Sequence, residues 1–166
     1  MAVIIDGYNL IYASERWADF MDRGVIDAAR DELLAALADY FREARQPVTV
    51  IFDGRPGYDR PGGRKLAHGP IEVRFAGSRR EADDAIIDRV RASAQPRDIT
   101  VITTDRAIAR AVGEYGARVK TSREFRVEVF EELKARRRRT TDGKDVRGVD
   151  ISYDEYMRML EEHERQ

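Results

Sequence analysis

Four aspartates stand where the chain passes between strand-like and helix-like residues, and carboxylates gathered in that way suit a divalent cation. Asp6 closes the run Ala2-Val3-Ile4-Ile5, within IIDGYN, and Asp53 closes Val48-Thr49-Val50-Ile51-Phe52, within IFDG. Asp105 follows Ile99-Thr100-Val101-Ile102, within TTDR, and Asp83 opens a helical stretch, within EADDAI. Acids collected at one edge of a sheet hold Mg2+ or Mn2+ for phosphate chemistry, because these cations take oxygen ligands and keep exchangeable waters. Asn9, three residues after Asp6, adds a polar group for a phosphate or a water. Each residue also has an ordinary reading. Asp6-Gly7-Tyr8-Asn9 suits an Asx-turn, Asp105 a helix cap, Asp83 a first-turn acid favoured by the helix dipole, and Asp53 a turn before a Gly-rich loop. The set of four on one expected edge, rather than any single acid, points to a cation site.

The elements that must position these acids follow from hydrophobic periodicity. Residues 2–6, 48–52 and 99–103 read as buried strands, 71–75 (IEVRF) as a strand with one exposed face, and 117–120 as a short strand. Residues 9–20 suggest a short helix and turn. Ile26, Ala29, Leu33, Leu34, Leu37, Tyr40 and Phe41 form a helical stripe over 25–45, expected to end at Pro47. Further helices are expected at 81–94, 106–114 and 122–139, the last opened by a Thr121/Glu124 capping box. The stretch DGRPGYDRPGGRKLAHGP, 53–70, has no periodicity and reads as a long loop of functional length. Strands alternating with helices predict an α/β fold. A mostly parallel sheet of about five strands is covered by helices on both faces. Right-handed crossovers favour the order 3-2-1-4-5. Its winding reverses between the first and fourth strands, and ligands bind at such a switch point. Asp6 and Asp105 end those two strands.

At about 100° per residue, Asp83 falls in the middle of the apolar side of its helix, among Ala82, Ile86, Ile87 and Val90, while Asp84 falls opposite. An acid on an apolar face is costly unless it is paired or bound to a cation, so Asp83 is the site candidate and Asp84 a surface acid.

The composition narrows the chemistry. The 166 residues suit one domain, expected over 1–139, followed by a linker and C-terminal helix over 140–166. With no cysteine, disulfides, thiolate catalysis and Cys-ligated zinc are excluded. His68 and His163 read as solvated residues, which leaves no convincing imidazole base. No apolar run reaches the ~18 residues of a membrane span, and MAVIIDGYNL lacks the marks of a secretory signal. A cytoplasmic location and no membrane partner are expected. The net charge is −1, so any nucleic-acid affinity must come from local patches.

The ordered set DGYN, IFDG, EADD and TTD resembles the NYN domain of the PIN-like nuclease group, and within it the YacP-like branch, over about residues 1–140. The resemblance implies a three-layer PIN-like fold and a Mg2+-dependent (or Mn2+-dependent) endoribonuclease, associated with ribosomes and cleaving mRNA there. It implies that Asp6, Asp83 and Asp105 form the acidic metal-binding core, that Asn9 and Asp53 support it, and that Thr103 and Thr104 lie beside it. RNA approaching such a cluster needs basic flanks. Arg55, Arg60, Arg64 and Lys65 lie in the long loop, Arg79 and Arg80 precede EADD, and Arg106 and Arg110 follow Asp105. Lys134 and Arg136, Arg137, Arg138 and Arg139 form the densest run, more than a helix end needs for its dipole. Tyr8 and Tyr58 are candidates to stack bases, whereas Trp17 suits core packing.

Two rivals share much of this pattern. One is a non-catalytic RNA- or ribosome-binding domain of the same fold. The other is a phosphatase of the haloacid dehalogenase type, which wants a second Asp two residues after the first, where Tyr8 stands. No GxGxxG follows a strand, against a dinucleotide site.

Overall fold

The computed structural model describes residues 1–54, 66–76 and 82–142, apart from the side chains of 66–68 and 140–142. Its strands are β1 (Ala2–Asp6), β2 (Val48–Phe52), β3 (Leu66–His68), β4 (Ile71–Phe75), β5 (Ile99–Ile102) and β6 (Arg118–Lys120). Its helices are α1 (Gly7–Tyr12), α2 (Glu15–Asp22), α3 (Ile26–Tyr40), α4 (Ala82–Arg91), α5 (Arg106–Glu114) and α6 (Ser122–Asp142). The chain divides into a compact unit of Met1–Ala135, which holds all four aspartates, and a second unit of Arg136–Gln166.

The sheet order is β3-β4-β2-β1-β5-β6. Its five parallel strands, β4-β2-β1-β5-β6, give the expected order 3-2-1-4-5. Register is set by burial. β2 is buried along its whole length, as a central parallel strand must be when both faces are covered. Val3, Ile5, Val50, Phe52, Val73 and Ile102 face one core with Leu33, Leu37, Trp17 and Phe125. Ile4, Ile51, Ile99 and Val101 face the other with Ile86, Val90, Ile108 and Val112. The alternation of strand side chains thus creates three layers, with α1–α3 and α6 on one side and α4 and α5 on the other. Trp17, 3% exposed, packs against Phe130 at 5.4 Å between ring centroids, the core role expected of it.

Two expectations are corrected. The stretch 53–70 is not loop to its end: Leu66–His68 form the antiparallel edge strand β3, paired to β4 with His68 opposite Ile71. Gly69 (φ 59°) and Pro70 make the two-residue turn. Gly takes the positive φ that opens a type II′ hairpin, and Pro suits the next position. Three residues are too few for alternation to register in the sequence. Helix α3 ends at Tyr40 rather than at Pro47. Phe41 leaves the helix and is buried (4% exposed), with its ring 4.8 Å from Tyr40 and 6.1 Å from Phe125. The helix thus ends, with Phe41 as its cap, before proline sterics apply. The Thr121/Glu124 box forms as expected: Glu124 N–H donates to Thr121 Oγ1 at 3.2 Å, and Thr121 N–H donates to Glu124 Oε2 at 3.1 Å.

The turn from β1 into α1 leaves no room for a side chain at Gly7. A Cβ there would stand 2.4 Å from Cδ1 and Cε1 of Phe52, which is itself wholly buried. The Phe52 ring cannot retreat easily, because Tyr8 meets it edge-on at 5.1 Å and Phe75 stacks on it at 5.7 Å. Gly7→Ala is expected to cost about 1–3 kcal/mol by urea unfolding. Adding Phe52→Leu should cost less than its effect in the wild-type background, because the two groups compete for one space. Strictly additive costs would show that the turn relaxes in some other way.

Candidate active site

Parallel strands deliver their carboxyl ends to one edge, and the functional side chains are built there. Asp6 is the last residue of β1 and the N-cap of α1. Its Oδ1 accepts Asn9 N–H at 3.2 Å, so the Asx-turn reading is correct locally. Its Oδ2 accepts the hydroxyl of Thr103 at 3.1 Å, across the switch point. Asp6 is only 8% exposed, and Thr103 is 1% exposed. Burial is the main reason the Asp6 pKa rises from 3.8 to about 6; the two hydrogen bonds oppose the rise, and the charges of Asp83 and Asp53 add to it. These acids, remote in sequence, therefore act on one carboxyl group.

Asp53, just beyond β2, accepts the backbone N–H of Ala82 at 2.5 Å and so caps α4. The cap fixes the first turn that carries Asp83. Ala82 is buried, Asp83 half-buried and Asp84 exposed, the facing expected from the helical wheel. Asp105 caps α5, with Oδ1 accepting Ala107 N–H at 2.7 Å and Ile108 N–H at 3.0 Å. Both bonds use one oxygen, and Oδ2 takes no bond from the described residues. Asp105 N–H donates to Thr103 Oγ1 at 3.0 Å, so the threonine that holds Asp6 also holds Asp105.

Asn9 is held at this edge by hydrogen bonds within the protein. Its Oδ1 accepts Thr104 N–H at 2.8 Å and the Ser122 hydroxyl at 2.8 Å. A carboxamide oxygen has two lone pairs, and both are engaged. Ser122, fully buried, does not stand out in the sequence. The available signal is its place just after the fifth parallel strand, on the same edge as Asp6 and Asp105. A second network, Thr49–Glu72–Arg89, is equally inconspicuous there. Arg89 donates to Thr49 Oγ1 at 3.2 Å and to Glu72 Oε2 at 3.1 Å, which ties α4 to the sheet.

The donor set consists of carboxylate oxygens crowded until one resists ionisation, which is the chemistry a hard dication relieves. Among the described residues, no three acidic or histidine side chains stand close enough together to enclose a metal ion. The residues therefore fit a cation held by one or two carboxylates, with waters or phosphate completing the shell, as Mg2+ prefers. Of the expected basic flank, Arg106 is exposed in the first turn of α5. Arg137, Arg138 and Arg139 are exposed near the end of α6, in the second unit. Arg55, Arg60, Arg64, Lys65, Arg79, Arg80, Tyr58 and His163 lie outside the described residues, as does the side chain of His68.

A three-layer parallel α/β domain with acids converging at its switch point defines the class. The YacP-like NYN domain family matches residues 3–163, and the chain belongs to it. The match takes in the segment after residue 140, which carries none of the motifs quoted above. Among solved structures, Rae1 (YacP) from Bacillus subtilis is 27% identical, covering 99% of this chain and 95% of that one, with a TM-score of 0.73. A tryptophan-to-leucine mutant of the same protein aligns over 88% of this chain and 86% of that one, at 27% identity and a TM-score of 0.67. No curated protein matches the chain.

The raised Asp6 pKa sets a sign for pH dependence. An acid whose pKa is higher folded than unfolded favours folding below its unfolded value, and that advantage is lost as pH rises through the folded value. On this account stability falls between pH 3.8 and about 6, by at most about 3 kcal/mol. In EDTA, Asp6→Asn should melt above the wild type at pH 7.5 and lose that advantage at pH 4. A variant less stable than the wild type at both pH values would show that the Asp6 carboxylate is not under electrostatic stress.

Proposed function

We propose that the chain is a divalent-metal-dependent endoribonuclease. It hydrolyses RNA phosphodiester bonds in the cytoplasm, with mRNA, including ribosome-bound mRNA, as its substrate. The observation that carries this reading is the buried Asp6 carboxyl, pressed by Asp83 and Asp53 and coupled through Thr103 to Asp105. Membership of the YacP-like NYN family supports it. One or two of the carboxylates of Asp6, Asp83 and Asp105 would hold Mg2+ or Mn2+ directly, the rest acting through its waters, and the ion would supply Lewis acidity and an activated water when bound. Asp53 holds the turn that carries Asp83, and Thr103 orients Asp6. Arg106 neutralises phosphate as RNA approaches the acids, and the arginine run 136–139 is a separate phosphate-binding element. No helix among the described residues is long and apolar enough to cross a membrane.

The test is cleavage of a labelled RNA with Mg2+, Mn2+ or EDTA. Asp6→Asn and Asp105→Asn should each lower cleavage at least about a hundredfold, as when a preorganised charged group is removed, with RNA binding retained. A chain that leaves RNA intact with both metals would overturn the proposal. Protection of bound RNA would instead favour a non-catalytic RNA-binding domain, the reading supported by the lack of a three-carboxylate group among the described residues.

The arginine run has its own test. Replacing Arg136 to Arg139 with Gln should weaken RNA binding and flatten its salt dependence, by about 0.7 in the log–log slope for each phosphate no longer neutralised. An unchanged slope in a titration from low to physiological salt would show that the run does not touch phosphates.

A further inference from the structure

Asn9, Thr104 and Ser122 close a ring of hydrogen bonds drawn from three separate segments. Thr104 N–H donates to Asn9 Oδ1 at 2.8 Å, Ser122 N–H donates to Thr104 Oγ1 at 3.2 Å, and the Ser122 hydroxyl returns to Asn9 Oδ1 at 2.8 Å. The ring joins the start of α1, the β5–α5 turn and the first residue of α6. Each neighbour of Thr104 is also held. Thr103 reaches Asp6, and Asp105 is bonded through its amide to Thr103. The residue between the two acid-bearing contacts is therefore the one the ring grips.

We infer that Ser122 is a positioning residue that fixes Asp105 relative to Asp6, acting through Asn9 and Thr104. Ser122 is 0% exposed and cannot meet a substrate, so its influence must pass through these partners. With both lone pairs of its oxygen engaged, Asn9 serves as the keystone of the ring rather than as an oxygen ligand. A buried hydroxyl with a single strong acceptor sets geometry well, because removing it leaves that acceptor short of a partner. Small errors in placing a reactive group are costly in rate, which gives the ring a catalytic consequence. The kinetic part of this inference rests on the ribonuclease reading; the structural part does not.

The experiment compares wild type, Ser122→Ala, Thr104→Val and the double variant by amide hydrogen exchange and by RNA cleavage. Tyr40→Phe serves as a control, since it removes the Tyr40–Glu128 bond on another part of α6. Ser122→Ala should speed exchange at the Thr104 and Asp105 amides about tenfold, the scale of one hydrogen bond, and leave β1 and β2 amides unchanged. It should lower kcat by a similar factor with KM unaltered. Thr104→Val should speed the Asp105 amide likewise, and the double variant should add little, because both changes open one ring. Tyr40→Phe should leave these amides as they were. Wild-type exchange at Asp105 in Ser122→Ala, or acceleration spread equally over the core strands, would overturn the inference. If Ser122→Ala does not fold, Thr104→Val decides by the Asp105 amide alone. Absence of cleavage by the wild type would remove the ribonuclease reading, and exchange would still decide on the ring.

Discussion

A carboxyl group taken out of water is the constraint around which this edge of the molecule is arranged. Asp6 lies at the end of a central strand, paired with Ile51 of β2 on one side and bonded to Thr103 just beyond β5 on the other, and it is left little solvent. Burying a charge without compensation costs several kcal/mol. The fold offsets only part of this with an amide and a hydroxyl, and then adds the charges of Asp83 and Asp53, which work the other way. Structure alone gains nothing from that crowding. The crowding is the electrostatic feature on which the proposed cation site rests.

The rest of the edge serves this arrangement with local devices. Asp53 and Asp105 cap the helices that follow them, and each cap fixes a first turn at the switch point. Capping and cation binding compete as explanations while only the sequence is in view, yet at Asp105 one oxygen satisfies the helix while the other takes no bond from the described residues. Gly7 allows α1 to begin directly against Phe52, which brings Asn9 back over the end of β1. An alanine there would push apart the aromatic stack beneath the acids.

Much of this was legible in the chain because the signals are local. The β-branched runs, the parallel order, the inward facing of Asp83 and the capping box at Thr121 follow from periodicity and short-range chemistry. Three features were not legible. β3 has three residues and no alternation to detect. α3 ends at Tyr40, short of Pro47, and no Gly or Pro marks that end in the sequence. Ser122 looks like no more than the opening residue of a helix, because its bond to Asn9 spans 113 positions that only the folded sheet brings together.

Strand β1 precedes the strands that flank it by a long stretch of chain. Its partners begin at Val48 on one side and Ile99 on the other, and the clasp over its end needs Ser122. Contacts of such long range form slowly and late. The contacts around Asp6 can therefore all form only once the chain through Ser122 has been made. Maturation of the acid edge is tied to the length of polypeptide already translated.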